Sequence, residues 1–348
     1  CRAGGPVATD AARARELGYK AKKEFNAAVN GITGSTSTKH VIEISDAFLA
    51  INETDFAIST LVRGRRELKG IYTFNIELAE VYAYKKDWTM MVTEYLDLLE
   101  ISDAYKKQVQ DLLQSHLDTD VDNKISPILR TELIKRSQKF PDKTIWNEML
   151  MWYYMQEDNF AMALIQAKAV DKRNKAGGWQ VMDLAETARA NHEFQVANDA
   201  YDYVISLGHE SDNYNRARIE KVNTRYEQVT FTSDYTQEDL LSVEAEMKST
   251  LDELGKSSST ISLMKTMAHL QAFYLHKTKD AIALLEEAIQ LPGITPQKQA
   301  ECKLELGDVL LLDGQVWEAS LRYSQVEKAF KMEAIGNEAK FRNAKIAF

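Results

Sequence analysis

At 348 residues the chain exceeds the reach of one ordinary hydrophobic core, so it is either several domains or an array that grows in one direction. With 5 Pro and 15 Gly, long helices go unpunctuated and a turn-rich β architecture is excluded. A formal net charge of -9 argues against a phosphate-backbone partner, so nucleic acid is not expected, and no apolar run approaches the roughly 18 residues of a spanning helix.

The chain opens on Cys1 rather than Met. Two readings stand side by side: a lipidation site exposed by removal of a signal peptide, or a fragment boundary or processing scar. ATDAARARELGYKAKKEFNAAV then reads as a basic-leaning helix, a cap or a tether, and GITGSTSTKH (Gly31 to His40) as a flexible linker, so residues 1–38 form a leading segment.

From there the chain speaks in helical pairs. Residues 39–143 hold an irregular first pair around Phe56 (39–69), a regular one at 72–104, and a looser one at about 110–143 with His116 and Leu117 at its key positions. Residues 144–210 hold two well-matched pairs, 144–176 and 178–210. Residues 211–260 read as an elongated pair, NYNRARIEKVNTRYEQV and QEDLLSVEAEMKSTLDEL, joined by TFTSDYT. Residues 261–348 hold a loose pair at 262–293 through Ala281, Leu285 and Ala288, a regular one at 300–332 opened by the Thr295-Pro296 start, and the tail GNEAKFRNAKIAF. That tail places Ala344 at the small-residue position and stops before a second helix, so the sequence reads as a piece of a longer stack.

A register runs through the better pairs. The first helix carries Leu78, Leu150, Leu184 or Leu306, followed by Ala79, Met151, Ala185 or Gly307, and three positions on by Tyr82, Tyr154, Ala188 or Leu310. Twelve residues after the small position come Met91, Ala163, Ala197 and Ala319; then Tyr95, Ala167, Tyr201 and Tyr323; then Leu98, Val170, Val204 and Val326. Spacings of three and four share a helix face, and small residues at matching heights let two antiparallel backbones approach closely. An aromatic at the start of the second helix, Trp88, Phe160 or Phe194, with Trp317 shifted by one, plugs the corner. Such a unit buries its outer faces only against another copy.

The distance from Leu150 to Leu184 is 34 residues, and Pro141 follows a helix just before Thr144. On these residues the chain resembles the tetratricopeptide repeat family. The phrases LAEVYAYKKDW…EYLDLL, AKAVDKR and CKLELGDVLLLDGQVWEAS…YSQVEK…AKFRNAK are similar to exported tetratricopeptide proteins of Bacteroidota. The resemblance implies an all-α, right-handed α-solenoid of antiparallel helix pairs, exported to the periplasm or the outer-membrane periphery.

Candidate chemistry is weak by comparison. DTDVDNKISPIL alternates Asp118, Asp120 and Asp122 but has Asn123 and Leu129 where a calcium loop needs Gly and Glu, so an acidic solvated loop is expected. GKSSST lacks the earlier glycine of a phosphate loop, since Thr250 stands there. His40, His116, His192, His209, His269 and His276 show no metal-ligand spacing, and Cys302 reads as a buried inert thiol. Neither an enzyme nor a cofactor is expected.

What remains is the inner face. In the family the resemblance points to, positions 2, 5, 9, 12 and 13 of the first helix line it. On this chain they include Ile76, Glu80, Tyr84, Glu148, Trp152, Met155, Gln156, Trp179, Met182, Glu186, Arg189, Asp308 and Leu311. Exposed Trp, Tyr, Met and Arg are the residues of binding hot spots; the other reading of Trp152 and Trp179 is packing between repeats. The Lys and Asn carboxylate clamp of the chaperone-binding members is replaced by Ile76/Glu80, Glu148/Trp152, Met182/Glu186 and Leu304/Asp308. The expected role is therefore a scaffold of the cell envelope, in a secretion or outer-membrane assembly, that docks a basic or apolar protein segment and meets the membrane only through a lipid on Cys1. The alternative is a periplasmic glycan- or peptidoglycan-binding subunit.

Overall fold

The computed structural model describes residues 19–232 and 234–346, and among these all regular structure is helical. The chain forms two compact units that part between Tyr153 and Tyr154. Cys1 lies outside the described residues.

The first unit holds α1 (residues 19–30), α2 (Thr38–Ala50), α3 (Thr54–Glu67), α4 (Asn75–Tyr84), α5 (Trp88–Ile101), α6 (Lys106–Leu117), α7 (Ile125–Lys139) and the larger part of α8 (Ile145–Gln156). The second holds α9 (Phe160–Asn174), α10 (Trp179–Ala190), α11 (Phe194–Ser206), α12 (Tyr214–Thr230), α13 (Gln237–Leu254), α14 (Ile261–His269), α15 (Thr278–Gln290), α16 (Pro296–Leu312), α17 (Val316–Ala329) and α18 (Ala334–Ile346). The parting falls inside the segment 144–210 that the sequence marks as best matched.

One turn recurs in both units. In the first, Asn52 and Lys86 take positive φ two residues before α3 and α5; in the second, Asp158, His192, His276 and Gly314 do so before α9, α11, α15 and α17. The next residue's N–H reaches back five positions to close the helix: Glu53 to Phe48, Asp87 to Tyr82, Asn159 to Tyr154, Glu193 to Ala188 and Gln315 to Leu310, all at 2.8–2.9 Å. This is the Schellman closure of one helix, and its last residue is already the N-cap of the next. The side chains of Asp87 and Asn159 accept from Met90 and Met162 N–H at 3.2 Å. Three residues thus reverse the chain, which forces the paired helices to lie antiparallel.

Counting from this turn extends the small-residue register to the pairs the sequence shows poorly. Ser45 and Ala57 occupy the contact between α2 and α3, and both are buried. In α14 the register is displaced by one residue because a π-helical turn, Leu270–Tyr274, inserts an extra position. The Lys277 N–H there reaches six residues back, to Gln271 at 2.7 Å. Ala268 and Ala281 then meet at the expected height, both without exposed surface. At Gly307 the contact is so close that a β-carbon would lie 2.4 Å from the Tyr323 ring.

The corner positions correct one expectation. Trp88, Phe160 and Phe194 each begin a second helix, and Phe160 and Phe194 are buried. In α17 the equivalent position is Val316, and Trp317 is 86% exposed. One residue along a helix rotates a side chain by about 100°, enough to carry it off the inward face.

Polar fasteners complete each unit. In the first, Glu94 is buried and takes Arg65 through both carboxylate oxygens, at 3.2 and 2.5 Å, together with Asn75 Nδ2 at 2.9 Å. Arg136 is buried against Asp97 and Glu100 and lies 5.4 Å over the Trp146 ring. Phe25 of α1 stacks edge-on to Phe48 and Phe56 at 5.2 and 5.3 Å, so α1 caps the first pair. In the second unit the buried Asp171 accepts from Gly178 N–H at 2.6 Å and from the Tyr203 hydroxyl at 2.8 Å. Cys302 is buried and unbonded, and burial pushes its thiol up to about 11, as an inert thiol requires.

Candidate partner-binding face

The residue following the small position of each first helix is Glu80, Trp152, Glu186, His269 or Asp308. Close packing at the small residue sets this neighbour about 100° away, at the edge of the buried stripe. It therefore stands where the next first helix passes.

The charged members of this row are met by that next helix. In the first unit Glu80 of α4 accepts from the Tyr95 hydroxyl and lies 3.6 Å from His116 Nε2 of α6. These hydrogen bonds, His116 foremost, hold its carboxyl below the ordinary range. Lys106 of α6 reaches Glu148 of α8 at 2.5 Å. In the second unit Glu186 of α10 pairs with Arg216 of α12, and Arg189 with Glu220 at 2.5 Å and Glu227 at 3.5 Å. Lys265 and His269 of α14 meet Glu301 and Glu305 of α16 at 3.1 and 2.7 Å. Asp308 of α16 accepts from Tyr323 at 2.7 Å and pairs with Arg342 of α18. Burial raises the Asp308 carboxyl in spite of both partners.

Within each unit the face is thus a ladder of ion pairs and hydrogen bonds between first helices. The sequence marks Glu80, Glu148, Glu186, Asp308 and Arg189 as lining residues, but not Lys106, His116, Arg216, Glu220, Lys265, Glu305 or Arg342. What signal they leave is a base or acid recurring about one repeat away, at 31 residues for Arg189–Glu220 and 34 for Asp308–Arg342.

Between the rungs stand apolar side chains. Tyr84 is 57% exposed although its hydroxyl bonds Asn52, Trp179 is 52% exposed and Leu311 is 40% exposed. Ile76, Trp152 and Met155 are half-buried and Gln156 is exposed. Met182 is a correction: it has no exposed surface and belongs to the core, because it lies one position beyond the inward-facing Val181 on the same buried side of α10. It offers a partner nothing.

The other marked motifs resolve as structure. Asp120 caps α7 by accepting from Ile125 N–H at 2.5 Å, and Asp122 pairs with Lys124 at 2.7 Å in an exposed loop. Thr260 closes the GKSSST turn on Gly255 O at 2.9 Å. No group of three or more His, Cys, Asp or Glu suited to a metal occurs among the described residues.

The recurring three-residue turn, the small-residue contact and the 34-residue spacing decide the architecture. The architecture is an all-α array of antiparallel helix pairs, and its register is like that of the tetratricopeptide repeat. No family model matches the chain and no curated protein matches it. Among solved structures it is similar to a tetratricopeptide repeat protein from Parabacteroides merdae, at 13% identity over 86% of this chain and 96% of that one, with a TM-score of 0.37. The C-terminal part of a repeat protein from Cytophaga hutchinsonii is similar at 11% identity, over 86% and 98%, with a TM-score of 0.41. PilW, a type IV pilus biogenesis factor, is similar at 10% identity, over 66% and 98%, with a TM-score of 0.39. Likeness at these scores carries no argument, and the tetratricopeptide resemblance rests on the register inside this chain.

Proposed function

We propose that the protein is a non-catalytic docking scaffold whose first-helix faces hold an apolar, aromatic-seeking segment of another protein. The observation that carries this is the pairing of the face's carboxylates. Glu80, Glu148, Glu186 and Asp308 already have donors or cations within the chain. A basic partner would have to displace them, whereas Tyr84, Trp179 and Leu311 stay open to contact. Aromatic anchors in such a setting dominate binding energy. Each unit offers its own stretch of this face.

Envelope location, with a lipid on Cys1, is part of the proposal and is supported by the sequence resemblance alone. Affinity for the partner should fall about tenfold or more on Trp179→Ala, with unfolding unchanged because the ring is half in solvent. Unaltered affinity in a Tyr84→Ala, Trp179→Ala double variant would refute the docking face.

A further inference from the structure

In the second unit α11, α12 and α13 leave between them a cleft of about 670 Å³, within the range that holds a small-molecule ligand. Its origin is the elongated pair. Helices α12 and α13 run for 17 and 18 residues, and the three-residue turn that clamps most of the pairs is missing between them, as it is between α6 and α7.

The cleft is polar. Along one side α12 presents Arg218, Lys221 and Arg225; Asn198 faces them from α11, and Ser249 and a single carboxylate, Glu246, from α13, so cations outnumber the acid. Spacings of three and four set those cations on one side of the helix, while Arg216, Glu220 and Glu227 of the ladder fall on the other. The site is therefore separate from the docking face and does not rest on it.

Its groups are incompletely matched. Arg218 bonds Glu253 and Lys221 bonds Asp202. Arg225 donates to Gln228 Oε1 at 3.2 Å and has no carboxylate within ion-pair distance among the described residues. Two more atoms are buried without a hydrogen-bond partner: Nε of Arg218, which needs an acceptor, and Oδ1 of Asn198, which needs a donor. Buried polar groups are nearly always satisfied, so unmet atoms of both kinds beside an open cleft ask for a ligand that carries both.

An anion answers the two arginines and a hydroxyl answers Asn198. No aromatic ring among the described residues lines the cleft, so a neutral sugar has no platform to stack on. Val222 and Ala245 are its apolar side chains, too little to seat the side chains of a peptide. We propose that this cleft binds a short acidic oligosaccharide, with a carboxylate on Arg225 and Arg218 and a ring hydroxyl donating to Asn198.

Calorimetry on the whole chain at low salt tests this with four probes: trigalacturonate, maltotriose, inorganic phosphate and a triglutamate peptide. Trigalacturonate should bind once per chain and maltotriose should not bind. Arg225→Gln should weaken trigalacturonate about tenfold or more, while the exposed control Lys331→Gln leaves it unchanged. Ser249→Trp, which fills the cleft from an exposed position, should abolish binding without altering the helical circular dichroism. Absence of heat from trigalacturonate would overturn the assignment, as would equal binding by Arg225→Gln. So would phosphate or triglutamate binding as tightly, which would mean an adventitious ion only or a peptide site.

Discussion

At the scale of single residues the fold is decided by size. Gly307 faces the Tyr323 ring so closely that a methyl group has no place, and the flanking Leu306 and Leu310 are buried. Gly307→Ala should therefore destabilise the protein by about 1–3 kcal/mol, the usual penalty of overpacking. Gly314→Ala meets nothing within 4 Å, but must hold a φ of +82°, which costs only about 1 kcal/mol. Urea titration of the two variants separates the mechanisms; a larger loss at Gly314 would count against close contact as the controlling factor. Gly307 is legible in the sequence because a small residue standing beside a leucine, repeat after repeat, is what close helix contact demands. Met182 misleads for a related reason: an inward register position and a core position differ by one residue.

At the scale of elements the recurring turn sets the geometry, and local insertions hide it. The π-helical turn at Leu270–Tyr274 displaces the register of α14 by one, so Ala268 escapes notice although Ala281, counted from the far side, does not. A one-residue shift inside a helix leaves no mark in hydropathy. The entry to α10 is fixed differently, by Asp171 accepting from Gly178 and Tyr203. Gly178 itself holds a φ of +85° with Val204 close above it. Asp171→Ala should cost about 3 kcal/mol, since a buried N–H and a hydroxyl both lose their acceptor, and Asp171→Asn should cost less. Equal melting temperatures for both variants and the parent would show the fastener to be idle.

At the scale of the whole molecule the sequence discloses repeats but not how their charges meet. Glu80, Glu186 and Asp308 are visible as acids at a lining position, and from that a basic partner follows naturally. Their partners lie a repeat away, on helices whose relative height no local pattern reveals, so only the folded chain shows these acids to be already matched within each unit. Exposed pairs of this kind contribute little to stability, yet they settle what the surface attracts.

Whether that face docks an apolar segment is decided by a photo-crosslinking residue placed at Trp179, on a first helix, and separately at Ile165, an exposed position of the second-type helix α9. Position 179 should give one partner adduct, retained at 0.5 M salt because apolar contact holds it, and position 165 should give none. An adduct that forms equally from 165, or that vanishes with salt, would rule out docking through the apolar first-helix surface.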